Sequence, residues 1–377
     1  MQTYNILINT QNFPPDAGGI QNYMYELASA LHDLGHNVSV VCDAPATSGQ
    51  EEFDTGQPFP VKRINGPKLI RRYRKAKWIS KYLSTNMETI LVCDSWKSLE
   101  LLNTAKFSKL SCICIAHGME FPDQTSQKKK ARITKTLSQA HLILANSQFT
   151  ADRVEPYTAN TSLTHILHPG VTPPPKPTKE DLSTINDLIA QHSPILLTVG
   201  RLEPRKGQDK IIEVLPQLLT EHPQLLYLVA GSGPLQETLA TRAQELGVSA
   251  NVKFCGRVSD GERSALLQKA DIFAMPCRAV GDSVEGFGIV YIEAAMLGLP
   301  SLAGRTGGAG DAVIDGHTGM LCDGDSENDV CLSIKKMLND RQALKAMGQH
   351  AQHRAQTELQ WEQVARKLLD LCATIRR

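Results

Sequence analysis

Hydrophobic residues along this chain alternate between short continuous runs and stretches in which they recur at helical spacing. The run at residues 6–9 predicts a strand, and the run at residues 38–42, after Gly35, predicts another. Between them, apolar residues three and four positions apart predict one face of a helix over residues 20–32, namely Ile20, Tyr23, Met24, Leu27 and Leu31. The chain therefore opens with a strand–helix–strand unit.

The same alternation continues through the first half of the chain. Short apolar runs lie at residues 90–93, 111–116 and 142–145. Because these runs do not alternate apolar with polar positions, they favour strands that are buried on both faces. Strands of this kind are typical of a parallel sheet covered by helices.

A proline-rich segment then divides the chain. Residues 168–176 read His-Pro-Gly-Val-Thr-Pro-Pro-Pro-Lys, which suits a stiff linker better than a helix or a central strand. We place the domain boundary here, with a first domain over residues 1–170 and a second over residues 171–360. Apolar runs resume at residues 195–199, 225–230, 252–255 and 272–275, so a second doubly wound α/β domain is expected.

The C-terminal segment, residues 361–377, is predicted to be helical. Its apolar residues Val364, Leu368, Leu369 and Leu371 lie at helical spacing. The pattern alone allows this helix to dock on either domain, and joining the first domain is one of the two possibilities.

Composition and charge exclude several classes of protein. The 377 residues are 41% hydrophobic, enough for two cores, and 40 basic against 39 acidic residues leave a net charge of +1. Because no overall basic field exists, we expect no nucleic-acid partner. The nine cysteines are odd in number and form no Cys-x-x-Cys pair, which predicts free thiols in a reducing compartment. With no secretory signal and no bilayer-length apolar run, we expect a cytoplasmic protein.

The candidate chemistry starts from two charged segments. Glu285 and Glu293 have seven residues between them, and Arg201 and Lys206 lie in the segment 200–207, about eighty residues earlier. The two cations follow the first strand of the second domain, and open α/β sheets bind ligands at that edge. Fixed cations can neutralise a diphosphate and separated carboxylates can hold hydroxyls, so the set indicates a nucleotide-sugar site. The alternative is that these are solvated surface charges.

Two glycine pairs add to this picture. Gly18 and Gly19 occupy the first strand-to-helix turn, where backbone N–H groups and the positive end of a helix can meet an anion. Gly231 and Gly233 follow a strand of the second domain in the segment Gly-Ser-Gly. An ordinary tight turn explains the Gly18-Gly19 pair almost equally well.

Several motifs in a fixed order then resemble a known family. The chain is similar over nearly its whole length to the retaining GT-B glycosyltransferases of family 4, which have two Rossmann-like domains facing a central cleft, and especially to mannosyltransferases acting on phosphatidylinositol. The resemblance rests on Gly18-Gly19-Ile20, His117-Gly118-Met119-Glu120, Asn146-Ser147, His168-Pro169-Gly170-Val171, Gly200-Arg201, Lys206-Gly207, Gly231-Ser232-Gly233 and residues 285–293.

The resemblance implies a role for each matching residue. Arg201 and Lys206 would grip the donor diphosphate, Glu285 would hold sugar hydroxyls, and His117 would contact the transferred sugar. These four are the expected catalytic residues, although a lone histidine in a strand-end loop is more often structural. Glu293 would hold ribose hydroxyls. The full set of expected donor-binding residues is Gly18, Gly19, Gly231, Gly233, Arg257, Val258, Gly286, Phe287, Gly288 and Glu293.

The mechanism implied by the resemblance is retention at the anomeric carbon, with the acceptor attacking on the face from which the diphosphate leaves. No protein nucleophile, cofactor or metal is then required, because the cations supply the neutralisation that a metal would provide. Asp323-Gly324-Asp325 has the spacing of a metal-binding Asp-x-Asp motif, but we expect it in a surface turn.

The resemblance favours GDP-mannose as donor and a lipid-linked or polysaccharide-precursor acceptor. UDP-glucose and UDP-N-acetylglucosamine stay open as donors, because Ala309-Gly310-Asp311 stands where many relatives have Pro-Glu after Gly307-Gly308, and a proline run replaces the usual residues after Val171.

A basic and partly apolar stretch in the first domain predicts contact with an anionic membrane, at the inner face of the plasma membrane. Its basic residues are Lys68, Arg71, Arg72, Arg74, Lys75, Lys77 and Lys81, interleaved with Leu69, Ile70, Tyr73, Trp78, Ile79 and Leu83. A second basic cluster comprises Lys128, Lys129, Lys130, Arg132 and Lys135. The alternative is a solvated helix face.

Doubly wound α/β domains also occur in proteins of other function classes. A nicotinamide-dependent oxidoreductase would carry Gly-x-Gly-x-x-Gly after the first strand, where this chain has Asn-Thr-Gln-Asn-Phe-Pro-Pro at residues 9–15. A noncatalytic nucleotide-sugar-binding protein is not excluded by the residues, and neither is an epimerase or a phosphorylase of the same fold.

Overall fold

Two parallel β-sheets organise the protein. The computed structural model describes residues 2–45, 48–85, 87–122, 124–158 and 163–375. The chain divides into unit 1, Met1–Gly170 together with Gln360–Arg377, and unit 2, Val171–Leu359. Each unit has its own sheet and its own buried core. The prediction of two doubly wound α/β domains is therefore confirmed.

Unit 1 contains a seven-stranded sheet in the order β3-β2-β1-β4-β5-β6-β7. The strands are β1 (Asn5–Asn9), β2 (Asn37–Asp43), β3 (Val61–Ile64), β4 (Thr89–Cys93), β5 (Leu110–Ala116), β6 (Leu142–Ala145) and β7 (Leu163–Ile166). The helices between them are α1 (Gly19–Asp33), α2 (Gln50–Thr55), α3 (Lys68–Leu83), α4 (Trp96–Leu99), α5 (Gln127–Leu137) and α6 (Gln148–Val154). Every residue of β4 and β5 is buried, which explains their unbroken apolar runs.

Unit 2 contains a six-stranded sheet in the order β10-β9-β8-β11-β12-β13. The strands are β8 (Ile195–Val199), β9 (Leu226–Ala230), β10 (Val252–Gly256), β11 (Ile272–Met275), β12 (Ser301–Gly304) and β13 (Gly319–Cys322). The helices are α7 (Lys179–Ile189), α8 (Gln208–Leu219), α9 (Gln236–Glu245), α10 (Asp260–Lys269), α11 (Ile289–Met296), α12 (Ala309–Ala312), α13 (Glu327–Asn339) and α14 (Arg341–Glu358).

The two sheets share one topology. In each, the chain builds outward from a first strand to one edge, then returns to the other side of that strand and continues. The reversal places a switch point between β1 and β4 in unit 1, and between β8 and β11 in unit 2. Open α/β sheets bind ligands beyond the carboxyl ends of the strands at such points. The topology therefore marks one candidate site in each unit.

The C-terminal helix α15 (Trp361–Thr374) belongs to unit 1. Its buried residues Val364, Leu368 and Cys372 join the core that also contains α1. The Trp361 ring meets the Tyr23 ring edge-on, with ring centres 5.0 Å apart. The apolar spacing predicted the helix, whereas the packing of its buried face decides the unit to which it belongs.

Four strands were not predicted from the sequence, namely β3, β7, β12 and β13. Each has only four residues, and β3 reads Val-Lys-Arg-Ile with only its last residue buried. So short a segment carries almost no periodicity, and these four lack the unbroken four-residue apolar runs that predicted the equally short β6 and β11. Their pairing with a neighbouring strand is what makes them strands. All nine cysteines are free thiols. No helix within the described residues combines the length and the apolar character that crossing a membrane requires.

Candidate active site

The carboxyl edge of the unit 2 sheet gathers most of the predicted site residues. Arg201 and Lys206 lie in the loop between β8 and α8, and Glu285 lies in the loop between β11 and α11. These loops flank the switch point of the sheet. The loop after β9 contributes Gly231 and Gly233, and the loop after β10 contributes Arg257 and Val258.

An ion cluster occupies the centre of this edge. Lys206 ends a 3₁₀ turn, Pro204–Lys206, and is only 8% exposed. Its Nζ donates to Glu285 Oε2 at 2.5 Å, and Arg205 Nη1 donates to the same oxygen at 2.8 Å. Arg205 also pairs with Glu203 at 3.3 Å. One carboxylate oxygen is thus held by two cations, while Glu285 Oε1 has no hydrogen bond or ion pair to any described residue.

The electrostatics of the cluster keep Glu285 ionised. Burial raises the pKa of a carboxyl group, but here the charges and hydrogen bonds of Lys206 and Arg205 outweigh burial and hold the pKa of Glu285 below its usual value. Burial likewise opposes the charge on Arg205, yet Glu285 and Glu203 raise the pKa of this guanidinium. Glu285 and Arg205 are therefore both charged at neutral pH.

Arg201 and Arg205 do not lie where the sequence pattern suggests. The Arg201 side chain is 74% exposed, and its contact is with Glu203 at 3.1 Å rather than with Glu285. Arg205, to which sequence reasoning assigned no role, is the arginine that contacts Glu285. It stands next to Lys206 in the same motif, but only the 3₁₀ turn decides that both side chains reach one carboxylate.

The loop after β9 lies directly against the loop after β8. Gly231 has φ 138°, and a side chain there would meet the Gly200 carbonyl oxygen at 2.0 Å. Leu202 N donates to Ser232 O at 3.3 Å, which joins the two loops. Close backbone packing thus explains why residue 231 is a glycine. The same packing brings the loop after β9 against the loop that carries Lys206.

The remaining predicted residues of this edge occupy defined positions around it. Arg257 is exposed and donates from Nε to Ser232 Oγ at 3.2 Å. Val258 is half-buried against the core, and Gly233 lies against the backbone of Leu202. The loops after β8, β9, β10 and β11 thus all contribute residues to this edge.

The segment 285–288 turns into helix α11 through a glycine. Gly288 is the N-cap residue, with φ 91° and ψ 67°, a left-handed conformation that glycine adopts without strain. Phe287 is 2% exposed and its ring lies in the core, so its side chain has a structural role. The Glu285 carbonyl accepts a hydrogen bond from Gly308 N at 2.7 Å. This bond ties the segment that begins with Glu285 and Gly286 to the loop after β12.

Glu293 lies in α11 beside Arg263 of α10. Arg263 Nη1 lies 3.4 Å from Glu293 Oε2, and its Nη2 lies 3.2 Å from Asp260 Oδ1. Burial raises the pKa of Glu293, and Arg263 offsets this only in part. Sequence reasoning missed Arg263, because nothing in the spacing connects it with a glutamate 30 positions away.

The predicted residues of unit 1 lie at the carboxyl edge of its own sheet. His117 follows β5, its backbone N donates to Glu120 Oε1 at 2.8 Å, and its ring meets Tyr23 edge-on with ring centres 5.3 Å apart. Its Nε2 is buried and has no hydrogen-bond partner among the described residues. Gly18 caps α1 and Gly19 begins it, one residue before the predicted start. The first turn of α1 contains no acidic residue, so its positive end is uncompensated.

The basic stretch of unit 1 is the helix α3, but three of its cations are structural. Lys75 is 3% exposed and pairs with Asp43 at 2.8 Å, as does Arg71 at 2.9 Å. Arg72 pairs with Glu100 at 2.5 Å. The exposed cations of the predicted basic stretch are therefore Lys68, Arg74, Lys77 and Lys81, since each of the other three has a carboxylate partner within the fold.

Glu100 also contacts the second basic cluster. Arg132 of α5 donates from Nη2 to Glu100 Oε2 at 2.8 Å. The hydrogen bond from Arg132, reinforced by Arg72, holds the pKa of Glu100 below its usual value. One ionised carboxylate therefore connects α3 with α5, and the two basic segments of the sequence are neighbours in space.

Among the described residues, no group of three or more histidine, cysteine or acidic side chains could hold a metal ion. Asp323 and Asp325 lie in the turn between β13 and α13. Asp323 Oδ1 accepts from Asp325 N at 3.0 Å, and Asp325 lies 3.5 Å from Arg278. The Asp-x-Asp spacing thus belongs to a turn with its own partners.

Family models match both halves of the chain. "Glycosyltransferase Family 4" matches residues 17–173, and "Glycosyl transferases group 1" matches residues 184–354. A GDP-mannose-dependent alpha-(1-6)-phosphatidylinositol monomannoside mannosyltransferase from Mycolicibacterium smegmatis is 30% identical over 97% of each chain. A glycogen synthase from Mycobacterium tuberculosis is 25% identical over 96% of this chain and 92% of its own.

A solved structure shares the fold over the whole chain. HepE from Anabaena, determined in complex with UDP, superposes with a TM-score of 0.78 at 21% identity, covering 99% of this chain and all of its own. At that identity the likeness concerns the fold alone.

Proposed function

The chain belongs to the family 4 glycosyltransferases with the GT-B fold, and from this membership we propose that it is a mannosyltransferase using GDP-mannose. The acceptor in this proposal is a lipid-linked saccharide or a polysaccharide precursor. The observation that carries the donor assignment is the 30% identity, over 97% of each chain, with an enzyme described as GDP-mannose-dependent. The charged cluster at the carboxyl edge of unit 2 supports a diphosphate donor.

In the proposed complex, the donor diphosphate contacts Lys206 and Arg205, with the exposed Arg201 as a third cation. An ammonium group has three donors, so Lys206 can bond to Glu285 and to a phosphate oxygen together. Glu285 Oε1, which has no partner among the described residues, accepts from a hydroxyl of the transferred sugar. The ribose hydroxyls contact Glu293, whose position is set by Arg263.

The proposed reaction is a transfer with retention at the anomeric carbon. The acceptor hydroxyl oxygen forms a bond to the anomeric carbon while the bond from that carbon to the diphosphate oxygen breaks. The hydroxyl proton passes to the departing phosphate. Lys206 and Arg205 stabilise the negative charge that builds on the diphosphate, and fixed charges of this kind need no rearrangement during the reaction. We propose that no metal or cofactor takes part, and full activity in a chelator is the expected result.

The roles of unit 1 residues remain predictions within this proposal. Gly18 and Gly19 offer the N–H groups of the first turn of α1 to a phosphate, and His117 contacts the transferred sugar. The Tyr23 ring limits the orientations open to the His117 ring.

A UDP-sugar donor is the second candidate, because HepE was solved with UDP. Calorimetric titration with GDP, UDP and ADP, followed by the matching sugar nucleotides, decides between them. Tighter binding of GDP supports GDP-mannose as the donor. Tighter binding of UDP would change the proposed donor to a UDP-sugar and leave the assignment as a transferase unchanged. Binding without any transfer to acceptors supplied in a membrane extract would favour the noncatalytic alternative.

We also propose that α3 and α5 seat the protein on an anionic membrane, at its cytoplasmic face. On α3, Leu69 is 78% and Tyr73 is 68% exposed, beside the exposed cations Lys68, Arg74, Lys77 and Lys81. On α5, Lys128, Lys129, Lys130 and Lys135 are exposed. Apolar side chains among cations suit a surface of anionic lipid.

Flotation with anionic vesicles at low salt tests this surface. We expect the protein to float with the vesicles, and the double variant Leu69→Ser with Tyr73→Ser to float less. Leu332→Ser is the matched control, because Leu332 is 56% exposed on α13 of unit 2. Absence of flotation by the unaltered protein rejects the membrane proposal.

A further inference from the structure

A cavity of about 370 Å³ lies in unit 2 at the amino ends of its strands. Pro194, Asp271 and Pro300 line it at the starts of β8, β11 and β12, and α14 forms another wall. This is the opposite edge of the sheet from Lys206 and Glu285. Small-molecule sites typically measure roughly 300–1,000 Å³. We call this cavity the back pocket.

The lining of the back pocket is apolar on one side. Leu267, Leu299 and Leu338 are at most 8% exposed and line the pocket with the half-buried Leu344. These side chains belong to or extend the cores of unit 2, so they are held firmly in place. They offer the apolar contact that small-molecule sites use for most of their binding.

The pocket also carries two cations without partners. Arg341 and Lys345 are four residues apart on α14, so they lie on the same side of the helix. Both are exposed, and neither side chain has an ion pair or hydrogen bond to any described residue. Most other arginines of unit 2 have carboxylate partners, as Arg205 and Arg278 do. These two positive charges are available to a ligand.

The other polar groups of the pocket are consistent with an anion. His222 lines the pocket, and its buried Nε2 has no hydrogen-bond partner among the described residues. Gln349 and Gln352 add amide groups. Asp271 lines the pocket too, and its Oδ2 accepts from Ile195 N at 2.7 Å, so this oxygen is engaged with the start of β8.

We propose that the back pocket binds a small organic anion, a phosphate or carboxylate group on an apolar body, at a site separate from the donor site. The head group contacts the planar guanidinium of Arg341 and the ammonium group of Lys345. Both cations can bind a phosphate or a carboxylate. The body packs against the leucines. The proposal does not depend on which sugar nucleotide the protein uses, because the two sites lie at opposite edges of one sheet.

Calorimetric titration of the full chain with hexyl phosphate, hexanoate and hexanol tests the proposal. We expect one or both anions to bind and hexanol to bind more weakly. The variant Arg341→Gln with Lys345→Gln should weaken anion binding at least about tenfold, because two charge-assisted contacts are lost. The control Lys253→Gln with Lys336→Gln makes the same change of charge at two exposed lysines outside the pocket and should bind as the unaltered protein does.

A second variant tests the cavity without changing its charge. Gln349→Trp places a large ring at the pocket wall, and it should abolish binding while the melting temperature stays within a few degrees. Saturation with GDP or UDP should leave hexyl phosphate binding unchanged. Equal binding by hexanol, equal binding by the Arg341 and Lys345 variant, or no binding of either anion overturns the proposal. If Gln349→Trp unfolds, the charge variants alone decide.

Discussion

Replacing Lys206 by alanine isolates the contribution of one cation to donor binding. Lys206 Nζ lies 2.5 Å from Glu285 Oε2 and is almost fully buried, so its charge acts in a poorly solvated place. A hydrogen bond to a charged group is worth about 1.5–3 kcal/mol. We therefore expect Lys206→Ala to weaken nucleoside diphosphate binding roughly 10- to 100-fold. If the cation also meets charge that develops in the transition state, turnover at saturating donor should fall about 100- to 1,000-fold.

The fold should survive this change. Arg205 still donates to Glu285 at 2.8 Å, so the carboxylate is not left without a partner. We expect a loss of no more than about 3 kcal/mol, within the stability of an ordinary domain. Urea denaturation measures it. Lys336→Ala, at an exposed position of α13, is the control for loss of one positive charge.

Comparing two ligands makes the test specific to the phosphate. Calorimetry with GDP and GMP, or with UDP and UMP if uridine is preferred, gives the preference for the diphosphate. In the unaltered protein the diphosphate should bind more tightly, and in Lys206→Ala most of that preference should disappear. If the ratio of the two dissociation constants is the same in both proteins, Lys206 does not contact the second phosphate, and the assignment of the diphosphate to this cluster is wrong.

Three further substitutions test individual contacts within the fold. Because burial raises the pKa of Glu293, the folded protein holds this proton more tightly than the unfolded chain, and stability is lost as pH rises through the raised pKa. Glu293→Gln should therefore gain melting temperature relative to the unaltered protein as pH rises above the usual pKa of a glutamate, and it should weaken nucleotide binding. Tyr23→Phe removes a buried hydroxyl with no partner among the described residues, so calorimetric melting should show no loss of stability. Gly231→Ala places a methyl group 2.0 Å from the Gly200 oxygen and should cost about 2 kcal/mol or more in urea denaturation.

Much of the fold followed from the pattern of apolar residues. The apolar run at residues 111–116 predicted a buried strand, and every position of β5 is indeed buried. The helical spacing over residues 20–32 predicted α1 to within one residue at each end. The proline-rich segment predicted the boundary region at residues 168–176, and the two units meet in the chain at Gly170 and Val171. Short edge strands such as β3 escaped detection, because pairing with β2 rather than composition creates them.

The candidate site was predictable as a set of loops but not as a set of contacts. The motifs placed Lys206 and Glu285 after strands of one sheet, and the sheet brings them together at its carboxyl edge. That Arg205 contacts Glu285 while Arg201 points to solvent depends on a 3₁₀ turn of three residues. The ion pair of Arg263 with Glu293 joins α10 and α11, and nothing in the sequences of these two helices indicates that the two residues meet.

The sequence by itself determined the class of fold, the positions of most strands along the chain and the residue types available for charge chemistry, because periodicity and local turns are properties of neighbouring residues. Only the tertiary structure decided which charges meet, as in the commitment of Lys75 and Arg71 to Asp43 and the absence of partners for Arg341 and Lys345 among the described residues. The physical reason is that a pattern of spacing records which face of an element is buried, whereas an ion pair depends on the distance between atoms from separate elements, which packing alone sets.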